Sequence, residues 1–79
     1  MKEEQLENLI EIFRILFNNN TLILNDDTVA SDVPGWDSVN HINLMISIEE
    51  EFGVKFTNNE VATMQNFGEL KILLNRKLS

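Results

Sequence analysis

Gly35-Trp36-Asp37-Ser38-Val39-Asn40-His41-Ile42-Asn43-Leu44-Met45-Ile46-Ser47-Ile48-Glu49-Glu50-Glu51-Phe52-Gly53 is the stretch whose reading decides the fold. Pro34-Gly35 makes a turn ahead of it. A helix then starts at Asp37 or Ser38, since both are good N-cap residues and Asp37 also suits the positive end of the helix dipole. Gly53 is placed to be the C′ residue that ends it. At about 100° per residue, His41, Leu44, Met45, Ile48 and Phe52 share one face, and Val39, Ile42 and Ile46 share the opposite one. Asn43, Glu49 and Glu50 flank the second face. A small bundle covers only one face of such a helix. Leu44, Ile48 and Phe52 are therefore expected in the core. Val39, Ile42 and Ile46 are then left as an exposed apolar strip beside acids, a docking surface for a partner with a basic rim.

On the N-terminal side, a helix is expected from about Glu3 to Phe17, with Leu6, Leu9, Ile10, Phe13, Leu16 and Phe17 on one stripe. Ile12 and Ile15 lie off that stripe. Asn18-Asn19-Asn20 stops the helix, because asparagine favours turns and left-handed caps. Residues 21–36 read as a long connection anchored by Leu22, Ile23, Leu24, Val29 and Val33. A strand at Thr21–Leu24 is rejected, because no second strand exists for it to pair with. On the C-terminal side, Thr57-Asn58-Asn59-Glu60 is a capping box that opens a short helix with Val61, Ala62 and Met64. Asn66 caps a last helix with Phe67, Leu70, Leu73, Leu74 and Leu78 in its stripe, and Lys71, Arg76 and Lys77 complement that helix's C-terminal dipole. The fold class expected is all-α. It is one domain over residues 1–79, a small bundle of three main helices and one short helix, with a long loop between the first two.

A chain of 79 residues buries only about 60% of its unfolded surface, so the core must be thin. The absence of cysteine excludes disulfides and thiolate ligands. A single histidine excludes multi-histidine zinc sites. The acids from Asp26 to Asp37 do not follow the spacing of an EF-hand loop. The N-terminus is charged and leads into an amphipathic run. It is neither a signal peptide nor a membrane span, so a cytoplasmic protein is expected. Asn19-Asn20-Thr21 matches a glycosylation sequon by chance.

The net charge of −7 is segregated. From Ile15 to Val54 there is no lysine or arginine but seven acids, whereas six bases balance six acids in the rest of the chain. Such a field repels nucleic acid and anionic lipid and draws basic partners to the middle of the chain.

A serine at the mouth of a helix invites a catalytic reading. A nucleophile needs a base within reach, an orienting third group and an oxyanion site. His41 lies one turn further along, but no third group accompanies it, and the chain is too small to enclose a substrate. The chain is therefore not expected to be an enzyme. On local physics alone Ser38 serves as a cap. His41 reads as a boundary histidine with a satisfied hydrogen bond, and Trp36 as an anchor that packs down before the helix.

Asp37-Ser38-Val39 at the head of the helix, Glu49-Glu50-Glu51-Phe52-Gly53-Val54 at its end and the capped short helix after it resemble an acyl carrier protein. The resemblance spans the chain in length, helix order and acidic bias. It implies a covalent 4′-phosphopantetheine on Ser38, taken from coenzyme A, with an acyl or related group held on it as a thioester. Ser38 then needs no base of its own, because a phosphopantetheinyl transferase supplies the chemistry. Asp37 is assigned by the same resemblance to capping and to contact with the transferase or its metal ion. The partners implied are that transferase and acyl-loading and acyl-using enzymes with basic patches. They would serve a fatty-acid, polyketide or specialised pathway and meet a monomer at Val39, Ile42, Ile46, Glu49 and Glu50. Met45 and Met64 are adaptable fillers that leave room for part of a cargo between helices. Val39 stands where the family usually has leucine, which bears on partner preference and not on modification. The stretch from Trp36 to Asn43 is similar to freestanding carriers of specialised pathways. Two alternatives remain open here: an aminoacyl or peptidyl carrier loaded by an adenylating enzyme, and an unmodified helical adaptor using the same strip.

Overall fold

The computed structural model describes residues 1–79. Four α-helices follow one another: α1 (Glu3–Leu16), α2 (Ser38–Phe52), α3 (Asn58–Thr63) and α4 (Phe67–Leu78). The long connection between α1 and α2 contains one 3-10 turn, Ala30–Asp32, and there is no strand.

α1 buries Leu9 and Phe13 completely and half-buries Leu6, Ile10, Leu16 and Phe17. It stops one residue short of the expected end because Asn18 takes a left-handed backbone with φ of 51°, a conformation asparagine tolerates better than most residues. The N–H groups of Phe17 and Asn19 close back onto the carbonyls of Phe13 and Arg14.

The connection is sewn to the bundle at both ends. Arg14 donates from Nε and Nη2 to the Leu22 carbonyl at 3.1 and 3.0 Å. The N–H groups of Phe67 and Gly68 bond to the carbonyls of Thr28 and Asp26 at 2.9 and 3.0 Å. A Cβ at Gly68 would lie 2.9 Å from the Asp26 carbonyl oxygen, so the loop can approach α4 this closely only over a glycine. Leu22 and Val33 are buried and Leu24 and Val29 half-buried, as expected of anchors. Ile23, expected to be one of them, is 81% exposed. Side chains alternate along an extended segment, so turning Leu22 and Leu24 inward sends Ile23 out. The 3-10 turn has no periodic signature at three residues; it is closed by Asp32 Oδ2, which accepts from the Val29 N–H at 3.0 Å.

Asp37, not Ser38, is the N-cap of α2, and Gly53 ends the helix at φ 66°. Leu44, Met45 and Ile48 are buried and Phe52 half-buried. The box at α3 is complete: Thr57 Oγ1 accepts from the Glu60 N–H at 3.1 Å, and Glu60 Oε1 accepts from the Thr57 N–H at 2.8 Å. Asn66 Oδ1 caps α4 by accepting from the Glu69 N–H at 2.8 Å. α4 contributes Phe67, Leu70 and Leu74 to a core cluster of 11 residues.

With so thin a core, face assignment on α2 is a stability statement. Leu44→Ala should cost about 2–5 kcal/mol as a buried leucine deletion. Ile46→Ala should stay within about 0.5 kcal/mol, because its side chain is already in water. Urea unfolding of both variants checks the assignment. The reverse order would put the wrong face of α2 in the core.

Candidate functional site

The head of α2 is built on a buried indole. Trp36 packs edge-on against Phe13, with ring centroids 5.3 Å apart, and beside Phe17 at 5.9 Å. Its Nε1 donates to His41 Nδ1 at 3.0 Å. An indole nitrogen only donates, so Nδ1 must be the acceptor and the imidazole proton sits on Nε2. Nε2 therefore donates to the Val61 carbonyl, 2.9 Å away on α3. Ahead of the helix, Gly35 takes φ of 92°, a backbone that side chains rarely adopt. The Gly35 carbonyl accepts from the Asp37 N–H at 3.0 Å and from Asn40 Nδ2 at 2.7 Å. Asn40 was not singled out from the sequence. Its signal is an amide in the first helical turn, where it can reach back to the loop.

Asp37 Oδ1 accepts from the Asn40 N–H at 2.8 Å and so takes the capping role. Ser38 is left exposed as the first residue of the helix, with no hydrogen bond to its hydroxyl. The N–H groups of Ser38 and Val39 have no backbone partner and point out of the helix mouth. Beside Ser38 lies a crevice of about 220 Å³ whose walls include Ala30, Trp36, His41, Met64 and Asn66. His41 cannot activate Ser38, because Trp36 and Val61 already occupy both of its ring nitrogens.

Val39, Ile42 and Ile46 are 69%, 56% and 45% exposed. Glu50 is exposed near them, but Glu49 is half-buried. Glu49 Oε2 accepts from the Phe56 N–H at 2.7 Å and so pins the connection between α2 and α3. Next to the strip, Ile42, Met45 and Ile46 of α2 face Phe56, Val61 and Ala62 across an apolar cleft of about 350 Å³. The structure thus gathers Asp37, Ser38 and Val39 at the helix mouth and runs Ile42, Ile46 and Glu50 along one side. Glu49 is turned inward to the loop. No cluster of three or more histidine, aspartate or glutamate side chains is placed to hold a metal ion. No helix is long and apolar enough to cross a membrane.

No family model matches the chain. No curated protein matches it either. Among solved structures, it is similar to the solution structure of the holo acyl carrier protein from Geobacter metallireducens. The two superpose with a TM-score of 0.86 at 36% sequence identity, covering 94% of this chain and 85% of that one. The chain belongs to the acyl carrier protein family. As a member of that family it is a carrier and not an enzyme.

α3 is the one α-helix with no fully buried residue. Its N-terminus depends on Glu60, which also pairs with Lys77 of α4 at 2.9 Å. The Thr57 N–H first, and Lys77 second, hold the Glu60 carboxyl below its ordinary value of 4.5. A pKa lowered by folding contributes stability that is complete above the ordinary value and is lost as pH falls through the lowered one. Amide exchange followed by NMR as pH falls below 4.5 should therefore show α3 losing protection before α1 and α2. Equal loss in all helices would mean that the box and the ion pair contribute nothing to α3.

Proposed function

We propose that Ser38 is the attachment point of a 4′-phosphopantetheine arm derived from coenzyme A. The carrier would hold an acyl group on it as a thioester for enzymes of a fatty-acid, polyketide or specialised pathway. The observation that carries this reading is the unengaged, exposed hydroxyl of Ser38 at the mouth of a helix whose cap is already supplied by Asp37. The holo state of the Geobacter protein supports the arm itself.

The residues present fit the group. The free N–H groups of Ser38 and Val39 lie where a phosphodiester on Oγ would benefit from them and from the helix dipole. The crevice lined by Trp36, His41 and Met64 gives the arm a partly apolar bed. Bound there, the arm supplies the thiol that carries the cargo. Asp37 repels rather than attracts a phosphate; it holds the helix mouth and faces the transferase or its metal ion. The apolar cleft between α2 and α3 supports an acyl cargo over an amino acid. Partners with basic rims would dock on Val39, Ile42, Ile46 and Glu50, in the cytoplasm, on a monomeric carrier. Glu49 lies beside them with its carboxylate committed to Phe56.

Intact mass after incubation with coenzyme A, magnesium and a broad-specificity phosphopantetheinyl transferase should rise by one arm. Ser38→Ala should stay unmodified yet fold with a change within about 0.5 kcal/mol, since Asp37 still caps. An arm on the alanine variant would refute the assignment, and an unmodified wild type would favour an adaptor.

Docking is tested on the same transferase by stopped flow. Glu50→Lys should slow association, with a defect that shrinks as salt screens the field, because rim charges act mainly on encounter. Ile46→Ala should instead speed dissociation with little salt dependence, because apolar contacts hold a complex once formed. Wild-type rates for both variants would place the docking surface elsewhere.

A further inference from the structure

One hydrogen bond joins a wall of the crevice beside Ser38 to a wall of the apolar cleft between α2 and α3. His41 lines the crevice, Val61 lines the cleft, and His41 Nε2 donates to the Val61 carbonyl at 2.9 Å between them. The imidazole is set for this bond from behind. Trp36 Nε1–H at 3.0 Å demands a bare Nδ1, which forces the proton onto Nε2. The indole stacks near-parallel to the ring, at 24° and 6.0 Å between centroids. Trp36 is itself buried against Phe13, so the donor's position is fixed by the core. On the other side of the bond, α3 has no fully buried residue and packs on the core through half-buried Val61.

We propose that His41 is a positioning residue that latches α3 to α2 and thereby selects cargo by length. A short or polar group on the arm stays in the crevice with the latch closed. A longer apolar chain opens the His41–Val61 bond and enters the cleft lined by Ile42, Met45, Ile46 and Ala62. Burying several methylenes outweighs one neutral hydrogen bond, whereas burying a methyl or two does not. The selection therefore lies in the balance between one fixed polar tie and an apolar gain that grows with the chain. The proposal rests on the reading of Ser38 as the attachment point.

The test loads the wild-type carrier from acetyl- and octanoyl-coenzyme A with a broad-specificity transferase and confirms each load by intact mass. Failure to gain mass at Ser38 would overturn the reading of the attachment point and the latch with it. In the unloaded and acetyl forms, imidazole nitrogen NMR should show a bare Nδ1 and a protonated, exchange-protected Nε2. In the octanoyl form the Nε2 proton should lose that protection, with amide shifts moving at Ile46, Val61 and Ala62. His41→Phe keeps a ring and removes both bonds. Its α3 amides should exchange roughly fivefold to tenfold faster even with acetyl, and the difference between acetyl and octanoyl forms should collapse. His41→Gln restores a donor towards Val61 and should restore the difference. A purely structural histidine would show no dependence on acyl length. Octanoyl-induced shifts in the cleft with the Nε2 proton still protected would overturn the latch. So would identical Nε2 protection in the acetyl and octanoyl forms, a comparison that needs no variant to fold.

Discussion

The edge-on contact between Phe13 and Trp36 ties the middle of α1 to the residue two places ahead of Ser38. Phe13 meets Phe67 of α4 in the same way, at 5.4 Å, and Phe17 flanks the indole from the C-cap of α1. Each aromatic pair of this kind contributes about 0.5–1.5 kcal/mol beyond the area it buries. The greater consequence is positional. A connection as long as this one would otherwise leave the head of α2 poorly placed. With Trp36 seated in the core, and its N–H satisfied by His41, the loop delivers Asp37 and Ser38 at a fixed point on the surface. Asn40, reaching back to Gly35, removes the remaining freedom of the turn.

α2 then divides its work along its length and around its circumference. Its head frees a hydroxyl because a neighbour has taken over the cap. Its inner face supplies Leu44, Met45 and Ile48 to the core. Its outer face keeps apolar side chains in water beside acids that no base neutralises. Of the seven acids of the middle segment, Asp26 pairs with Lys71 and the other six have no ion-pair partner. The acidic field of the middle segment therefore reaches solvent largely intact, screened only beyond about 8 Å at physiological ionic strength. That range suits orienting an encounter, while the apolar strip suits holding it.

The helices were legible in the sequence because each carries its own signal: stripes at helical spacing in α1, α2 and α4, and side-chain caps at α3 and α4. What was not legible depends on partners distant in the chain. Ile23 looks like any other apolar loop residue until Leu22 is fixed by Arg14 and the alternation sets its direction. Glu49, like Glu50, flanks the apolar strip on a helical wheel, and only the Phe56 N–H, seven residues on, turns it inward. His41 could be placed at the core boundary with a satisfied bond, but neither of its partners could be named, since Val61 lies 20 residues away. Gly68 gave no hint that a backbone carbonyl would press against it. Ser38 read locally as one of two possible caps. The family resemblance singles it out, and the structure gives the cap to Asp37.

Rigidity and softness are distributed unequally around α2. Towards α1 the contact is apolar and deeply buried, through Leu9 and Phe13 on one side and Leu44 and Ile48 on the other. Apolar packing at interior density is intolerant of displacement, so this half of the bundle holds Ser38 steady. Towards α3 the packing is shallower, through half-buried Val61, and polar ties supplement it: His41 to Val61, Glu49 to Phe56 in the connection ahead of α3, and Glu60 of α3 to Lys77 of α4. Such ties are individually weak and break one at a time, and segments held by them occupy the low end of local stability. On the proposed function, the carrier would present Ser38 at a constant angle while making room for cargoes of different size. Both demands fall on one helix, and they are compatible because the first is met on its buried side and the second on its hydrogen-bonded side. Replacing the ties to α3 with apolar packing would stabilise the bundle, but it would fill the cleft that the cargo is proposed to use.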